Sequence, residues 1–503
     1  MTNSRQSRAK KNIVTSLLMQ GIMILCGIIV PRMMIGAFGS EAYGATTSIT
    51  QFLAYIALLE GGIGGVARAV LYKPLAQGDT ETISYIMAEV KRFFRIVAWI
   101  FVVYVLILAC GFQTISKITC MDWISTFILV LVISVSTFGQ YFIGISLSVL
   151  LQADQKTYIT NVLSIGATVL NAICTIVLIR LQCNLIVVKL VSSFIFFMRP
   201  VILALYVKKH YSLVSHKRKK DHTYLAQKWT GLGQHIAYFL HSNTDIAILT
   251  ILTDLRTVAV YSVYNMIISH MQNLAMSFSS GMEAVFGDML ARDEEKELHN
   301  TFRTYETIIS VVSIVLFSVT AVLIIPFVQL YTSGITDAAY IQPLFALLMI
   351  MTALSYCLRL PYHSLVIAAG HFKQTNMAAY GEAVINIVLS VVLVFEFGLV
   401  GVAIATLIAT WFRFTYYVFY LSKNIFWRTP VLFVKRFVIN AFTFVCNCVV
   451  GHVVASCFAF NHYFEWMCCG AVLVVVVGGL TLGINAIFFR SDCRVLMRKI
   501  IKK

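Results

Sequence analysis

The chain has 503 residues, of which 59% are hydrophobic and 12% are charged, and its mean hydropathy is +0.83. Soluble globular proteins contain about 45–50% apolar and about 25% charged residues, so the composition excludes that class and indicates an integral membrane protein. The formal net charge of +17 does not indicate a nucleic-acid partner, because the basic residues lie between apolar runs and no DNA- or RNA-binding motif accompanies them.

Apolar runs long enough to cross a bilayer recur along the whole chain. A spanning helix needs about 20 predominantly apolar residues, and helices are expected because lipid cannot hydrogen-bond exposed backbone groups. The fourteen predicted spans cover residues 13–35, 44–70, 94–112, 124–150, 158–180, 184–206, 231–252, 257–289, 305–330, 341–368, 376–396, 399–421, 433–455 and 466–489. The sequence therefore predicts an all-α polytopic membrane protein with about 14 transmembrane helices.

The basic residues between these spans predict the orientation. Alternate gaps, together with both termini, hold 30 Lys and Arg residues, whereas the opposite set of gaps holds 4. Basic residues concentrate on the cytoplasmic side of membrane proteins. We therefore expect both termini in the cytoplasm, and an even number of spans agrees with this.

A weak internal repeat predicts the domain organisation. At an offset of 215 residues, "GATVLN" (166–171) aligns with "GEAVIN" (381–386), and Arg199 falls one residue from Arg413. Parallel repeats of this kind are a known transporter architecture. The predicted parts are an N-terminal six-helix lobe (1–210), a basic cytoplasmic linker (211–230), a second six-helix lobe in parallel pseudo-repeat (231–423), and two C-terminal helices with a basic tail (424–503).

The segment "IVPRMMIGAFGSEAYGATTSITQFLAYIALLEGGIG" (29–64) resembles the opening of polysaccharide transporters in the multidrug/oligosaccharidyl-lipid/polysaccharide exporter superfamily. In that family a basic N-terminus leads into helix 1, and a turn of the form fG.e.yG joins helices 1 and 2. The six-plus-six-plus-two arrangement is similar as well. Members of the family flip undecaprenyl-diphosphate-linked oligosaccharides across the bacterial cytoplasmic membrane, and relatives export drugs against sodium or protons or flip lipid II.

Charged residues inside spans are costly, at about 2.5–3.5 kcal/mol on insertion scales, and they mark candidate sites in chain order. Arg32 follows Pro31 near the outer end of the first span; it either snorkels to the headgroups or lines a cavity on a helix hinged at the proline. Glu60 and Arg68 lie on about one face of the second span. Glu60 is a candidate for substrate binding or structural pairing, and Arg68 is a candidate for substrate binding or for snorkelling to the cytoplasmic headgroups. The loop "GAFGSEAYG" is expected to turn the chain with three glycines, Gly36, Gly39 and Gly44.

Later spans carry the remaining candidates. Arg199 and Arg413 lie near mid-depth, where a guanidinium suits a diphosphate because it donates two parallel hydrogen bonds; the alternative is neutralisation by an acidic neighbour such as Glu382. His241 and Asp245 are four residues apart, hence on one helix face. They are candidates for ion coupling or for a buried hydrogen-bonded pair.

Arg359 and Pro361 mark a second candidate kinked site that faces a cavity. Substrate binding is assigned to Arg32, Glu60, Arg68, Arg199, Arg359 and Arg413, ion coupling to His241, Asp245 and Glu382, and hinges to Pro31 and Pro361. No phosphate loop follows a strand, and no metalloprotease or serine-hydrolase motif occurs. We therefore expect no enzyme activity, no cofactor and no metal.

The sequence and the resemblance together favour a flippase in the bacterial cytoplasmic membrane. It would move a polyprenyl-diphosphate-linked oligosaccharide to the outer leaflet by alternating access, for cell-surface polysaccharide synthesis. Its partners would be the lipid-linked glycan, membrane lipids and glycan-assembly enzymes, and coupling to Na⁺, H⁺ or the membrane potential stays open. The alternatives are a cation-coupled multidrug exporter of the same superfamily and a membrane glycan polymerase or transferase.

Overall fold

The computed structural model describes residues 2–60, 63–211, 232–279, 281–425 and 431–490, and across these ranges every regular element is helical. The pattern of contacts divides the chain into two compact units, Met1–Ala259 and Val260–Lys503. Each unit is an all-helical assembly with its own buried core.

The first unit contains the elements up to the eighth α-helix. In chain order they are α1 (Thr2–Ala54), a 3₁₀ helix (Tyr55–Glu60), α2 (Ile63–Gln77), α3 (Thr80–Ser116), α4 (Trp123–Gly139), a π-helical turn (Gln140–Gly144), α5 (Ile145–Ala153), α6 (Thr157–Arg180), α7 (Leu185–His210) and α8 (Leu232–Leu252). Helix α1 packs on α6, and α4 packs on α3 and α7. Buried side chains of α3, among them Phe94, Phe101 and Phe112, form the centre of this core.

The second unit contains the remaining helices, and the boundary between the units falls inside α9. The elements are α9 (Leu255–Ser277), α10 (Met282–Ala291), α11 (Glu295–Tyr331), α12 (Pro343–Ala368), α13 (Phe372–Asn424), α14 (Val431–Ala455) and α15 (Tyr463–Phe488). Helix α11 packs on α12, α14 and α15, and α12 packs along α13. Aromatic residues, including Phe302, Tyr362 and Tyr417, fill one core of this unit.

The predicted fold class is confirmed. Ten of the described helical segments are long and apolar enough to cross a membrane. Non-helical backbone at Gly39 (φ 82°) and Gly398 (φ 52°) divides α1 and α13 into two arms each. Helix α13 holds two predicted spans, whereas α1 holds the first predicted span and the beginning of the second, which ends within α2. Helices α8 and α9 occupy two further predicted positions, so each of the fourteen predicted segments contains helix.

The turn after the first span differs from the prediction of a three-glycine loop. Gly39 alone has a positive φ, and Gly36 and Gly44 lie in helical backbone. One residue is enough because a single left-handed conformation interrupts the helical hydrogen-bond ladder, and glycine adopts it without steric cost. Gly44 has a different role: a Cβ there would lie 1.8 Å from the carbonyl oxygen of Leu255, so the absent side chain permits close packing of α1 on the start of α9.

The boundary between the two compact units follows Ala259. It does not test the predicted lobes 1–210 and 231–423. The relation of those lobes as repeats stays a prediction, and the predicted linker 211–230 lies outside the described residues except for Tyr211. Pro31 and Pro361 lie inside α1 and α12, and neither has non-helical dihedral angles. Their role as hinges stays a prediction.

Candidate functional site

A buried cluster of charges in the second unit joins α12 to both arms of α13. Glu382 lies on the first arm and Arg413 on the second, 31 residues later. On a straight helix these residues would be about 46 Å apart, at 1.5 Å of rise per residue. The reversal at Gly398 brings the two arms side by side, so that the two side chains meet.

Glu382 accepts a hydrogen bond on each carboxylate oxygen. Arg359 Nη1 donates to Oε1 and Arg413 Nη1 donates to Oε2, both at 2.6 Å. The carboxylate side chain is 0% exposed, and the two guanidinium side chains are 3% and 4% exposed. Arg413 also donates from Nε and Nη2 to the hydroxyl of Tyr417, at 3.2 and 3.0 Å.

The charges of this cluster do not balance within the trio. Two guanidinium groups face one carboxylate, which leaves one excess positive charge. Its burial is tolerated because both guanidinium groups donate to the carboxylate and because Arg359 also lies 4.7 Å from the ring of Tyr356. Glu382 therefore pairs with Arg413, as in the alternative to anion binding that the sequence left open. An anion-binding role for Arg359 and Arg413, and an ion-coupling role for Glu382, stay predictions.

Arg199, on α7 of the first unit, has a different environment. Its Nη1 donates to Ser164 Oγ at 3.3 Å and its Nη2 donates to Gln140 Oε1 at 3.2 Å. Both partners are uncharged, and within the described part of the chain they are its only hydrogen-bond partners. Within the described part of the chain, no carboxylate therefore pairs with this half-buried guanidinium in the middle of a span.

The π-helical turn explains how Gln140 reaches Arg199. A π turn inserts an extra residue into a helix and shifts the side chains around it. Glycines lie at both ends of this turn, and a Cβ at Gly139 would lie 2.4 Å from the ring of Phe197. A Cβ at Gly144 would lie 2.6 Å from Gln140 Oε1. The bare backbone at these two positions lets α7 approach closely and leaves room for the Gln140 side chain.

The predicted sequence repeat, which stays a prediction, allows the neighbours of the two arginines to be compared. The 215-residue offset aligns Glu382 with Ala167, which lies one turn after Ser164 on α6. The second half of the chain supplies a carboxylate at this position, and the first half supplies a methyl group. Arg413 is therefore paired with a carboxylate and Arg199 is not.

The other predicted residues lie apart from this cluster. Arg68 Nη1 donates to Gln152 Oε1 at 2.9 Å in an exposed position. The half-buried Glu60 ends the 3₁₀ helix. The side chain of Arg32 extends along α1 towards Gly36, where its Nη1 lies 3.5 Å from the position that a Cβ would occupy. This is the direction of the predicted outer end of the first span, as snorkelling requires. Roles for these three residues in substrate binding stay predictions.

The predicted pair of His241 and Asp245 is only partly described. Asp245 is 6% exposed on α8, whereas the side chain of His241 lies outside the described residues. The neighbouring Asn243 fixes this part of α8 to the chain after Gly39. Gln51 Nε2 donates to Asn243 Oδ1 at 2.6 Å, and Tyr55 Oη donates to its backbone oxygen at 3.3 Å. An ion-coupling role for Asp245 stays a prediction.

A second buried ion pair was not found from the sequence. Arg436 of α14 lies 3.3 Å from Glu306 Oε2 of α11 and donates to Thr307 Oγ1 at 3.0 Å. Tyr362 of α12 donates to the other carboxylate oxygen of Glu306. By sequence, Arg436 was counted among the basic residues between spans. A signal was present, because Arg436 falls inside the predicted span 433–455. Over the described residues, no group of three or more His, Cys, Asp or Glu side chains is placed to hold a metal ion.

Comparisons with known proteins agree with this architecture. Residues 232–392, about a third of the chain, match the MatE family model. A search of the curated proteins found no match. Among solved structures, lipid II flippase MurJ in an inward closed conformation superposes with a TM-score of 0.66 at 14% identity, covering 95% of this chain and 99% of that one. The chain has the fold of a membrane transporter.

Two MATE transporters share the fold. The eukaryotic MATE transporter AtDTX14 has a TM-score of 0.60 at 12% identity, and covers 85% of this chain and 98% of its own. A mutant form of the MATE transporter VcmN of Vibrio cholerae has a TM-score of 0.55 at 17% identity, and covers 84% of this chain and 100% of its own. At these identities the likeness concerns the fold, which flippases and drug transporters have in common.

Proposed function

We propose that the protein is a transporter of the multidrug/oligosaccharidyl-lipid/polysaccharide exporter superfamily, of the branch that flips lipid-linked glycans. It moves a polyprenyl-diphosphate-linked oligosaccharide from the cytoplasmic to the outer leaflet of a bacterial cytoplasmic membrane by alternating access. Both termini lie in the cytoplasm. The reaction involves no covalent chemistry, because the barrier to flipping is the cost of removing a charged headgroup from water.

The environment of Arg199 carries the proposal. A guanidinium held at mid-span by two neutral side chains favours the binding of an anion, because a buried charge costs several kcal/mol unless an opposite charge accompanies it. A diphosphate supplies oxygens in the geometry that a guanidinium binds with two hydrogen bonds. The excess positive charge of the Arg359, Glu382 and Arg413 cluster has the same sign.

The sign of these charges favours an anionic cargo over a cationic drug. MurJ, which has the same fold, is a flippase of lipid II, so the fold accommodates a lipid cargo. A cation-coupled drug exporter is the second candidate, and the burial of Asp245 on α8 favours it. The flippase requires a positively charged binding site for its cargo, and the drug exporter requires a negatively charged one.

Reconstituted proteoliposomes test the proposal. A fluorescent polyprenyl-diphosphate oligosaccharide is incorporated, and its protection from a membrane-impermeant reagent is followed with and without protein. We expect protein-dependent translocation. If none occurs while ion gradients and the membrane potential are varied, and a lipophilic cation is transported instead, the drug exporter replaces the flippase.

A substitution suggested by the repeat tests the anion site. Ala167→Glu places a carboxylate where the second half of the chain has Glu382, and we expect it to pair with Arg199 and slow translocation roughly tenfold or more, the value of one charge-assisted hydrogen bond. Ala167→Gln is the matched control, because it has the same size and no charge. Equal rates for the two folded variants would reject Arg199 as the anion site and leave the flippase activity standing.

A further inference from the structure

A pocket of about 650 Å³ opens in the first unit, beside the π-helical turn. Its walls are formed by the first half of α3, by the segment 142–147, which belongs to the π-helical turn and α5, and by the end of α7. The side chains that matter for a ligand are Lys91, Arg95, Phe142, Leu147, Lys208 and Tyr211. The pocket therefore has a basic part and an apolar part, and none of its lining residues belongs to the cluster around Glu382.

The basic part consists of Lys91, Arg95 and Lys208. Arg95 lies 5.5 Å from the ring centre of Phe142. Within the described part of the chain, none of the three cations has an ion-pair partner. Three like charges around one recess repel one another, so a bound anion would relieve that repulsion.

A carboxylate that contacts the pocket-lining Tyr211 is already engaged by other groups. Asp154, in the loop after α5, accepts hydrogen bonds from Arg8 at 3.2 Å and from the Tyr211 hydroxyl at 2.5 Å, and it pairs with Lys156 at 2.7 Å. Burial, followed by this hydrogen bond to Asp154, raises the pKa of Tyr211 above its ordinary range. The network fixes one edge of the pocket and leaves the three cations to a ligand.

The position of the pocket identifies the kind of ligand. It lies at the end of the first unit that holds the 154–156 loop, the end predicted to face the cytoplasm. Large apolar side chains next to it on α3 and α7 are exposed: Trp99 is 61% exposed and Leu205 is 63% exposed. Such a surface contacts hydrocarbon in a membrane protein, and with the predicted orientation this surface belongs to the inner leaflet.

We propose that this pocket binds the phosphate headgroup of an anionic phospholipid of the inner leaflet. The phosphate lies among Lys91, Arg95 and Lys208, and the acyl chains leave along the exposed faces of α3 and α7. Basic pockets between helices at this membrane surface bind anionic headgroups, and each cation contributes comparably. The site does not depend on the proposed transport function, because it concerns a lipid that stays in its leaflet.

Trp99 provides a probe for the experiment. The full chain is reconstituted in phosphatidylcholine nanodiscs, and brominated phosphatidylglycerol or brominated phosphatidylcholine is titrated in as a contact quencher of tryptophan fluorescence. We expect saturable quenching by phosphatidylglycerol at a low mole fraction and weaker, linear quenching by phosphatidylcholine. A Trp99→Phe variant identifies the part of the signal that comes from this surface. Equal quenching curves for the two lipids would overturn the proposal.

Charge-removing variants assign the site. Replacing one of the three cations by Gln is expected to weaken phosphatidylglycerol binding about fivefold, and replacing all three about a hundredfold. Lys209→Gln is the matched control, because Lys209 is exposed on α7 next to Lys208 and does not line the pocket. If the folded triple variant binds as the wild type does, the proposal is wrong.

Two competitors distinguish other occupants. We expect that millimolar inorganic phosphate leaves the bound phosphatidylglycerol in place, since the apolar wall selects a lipid. We also expect that a short-chain polyprenyl diphosphate competes only at concentrations similar to those of the phospholipid. Displacement by inorganic phosphate alone would indicate a site for a soluble anion. Displacement by trace polyprenyl diphosphate would reassign the pocket to the transported lipid.

Discussion

The substitution Glu382→Gln tests whether the carboxylate of Glu382 stabilises the second unit by bridging the guanidinium groups of Arg359 and Arg413. The carboxylate accepts two bonds of 2.6 Å from guanidinium groups, and hydrogen bonds to charged groups contribute about 1.5–3 kcal/mol each. A glutamine has one carbonyl oxygen, so it keeps one bond and presents its amide hydrogens to the other guanidinium. Since removing one partner leaves buried charge uncompensated, we expect the variant to lose about 3–5 kcal/mol of unfolding free energy.

Equilibrium unfolding in mixed detergent micelles, followed by circular dichroism, measures this loss. Glu396→Gln is the control, because Glu396 is exposed on the same helix and its substitution is expected to change stability by less than about 0.5 kcal/mol. The double variant Glu382→Gln/Arg413→Gln is expected to lose about 2 kcal/mol less unfolding free energy than the two single variants lose together. A loss below about 1 kcal/mol for Glu382→Gln, or additive single effects, would refute the argument.

Two further substitutions test local features. Gly44→Ala would place a methyl carbon 1.8 Å from the Leu255 carbonyl oxygen and is expected to cost about 2 kcal/mol or more, whereas Gly21→Ala, with open space around it, should be neutral or slightly stabilising in the same unfolding assay. Hydrogen bonds from the hydroxyl and the backbone N–H of Thr82 hold the pKa of Asp79 below its ordinary value. We therefore expect Asp79→Ala to be less stable than the wild type at neutral pH, and this difference in unfolding free energy should vanish as the pH falls through the pKa of Asp79. A difference that persists in acid would contradict the capping role.

Hydropathy and residue spacing were sufficient to predict the fold class and the positions of the spans. They also predicted that Arg199, Arg359 and Arg413 lie within spans, and they offered Glu382 as an example of a neutralising neighbour. These features depend on local composition. A stretch of about 20 apolar residues is long enough to cross the bilayer as a helix, and a charge within it is located by counting residues.

Features that depend on packing between distant segments were not predicted. Arg436 and Glu306 are separated by well over a hundred residues, and nothing in either local sequence indicates that α14 lies against α11. The partners of Arg199 depend on the π-helical turn at Gln140, which hydropathy does not detect. The three-glycine loop was wrong for a related reason, because the φ angle of each glycine is decided by its neighbours in space, and Gly44 is needed for contact with Leu255.

The reversal of α13 at Gly398 has a consequence for biogenesis. Arg359, Glu382 and Arg413 lie within one stretch of 55 residues, and the two arms of α13 form a hairpin that can enter the bilayer as a unit. Glu382 and Arg413 can then accompany each other during insertion, which offsets the cost of about 2.5–3.5 kcal/mol for an isolated charge. Arg436 is different, because its partner Glu306 is synthesised 130 residues earlier. We therefore expect α13 to be integrated as a closed hairpin, and α14 to complete its charge pairing only after the preceding helices of its unit have assembled.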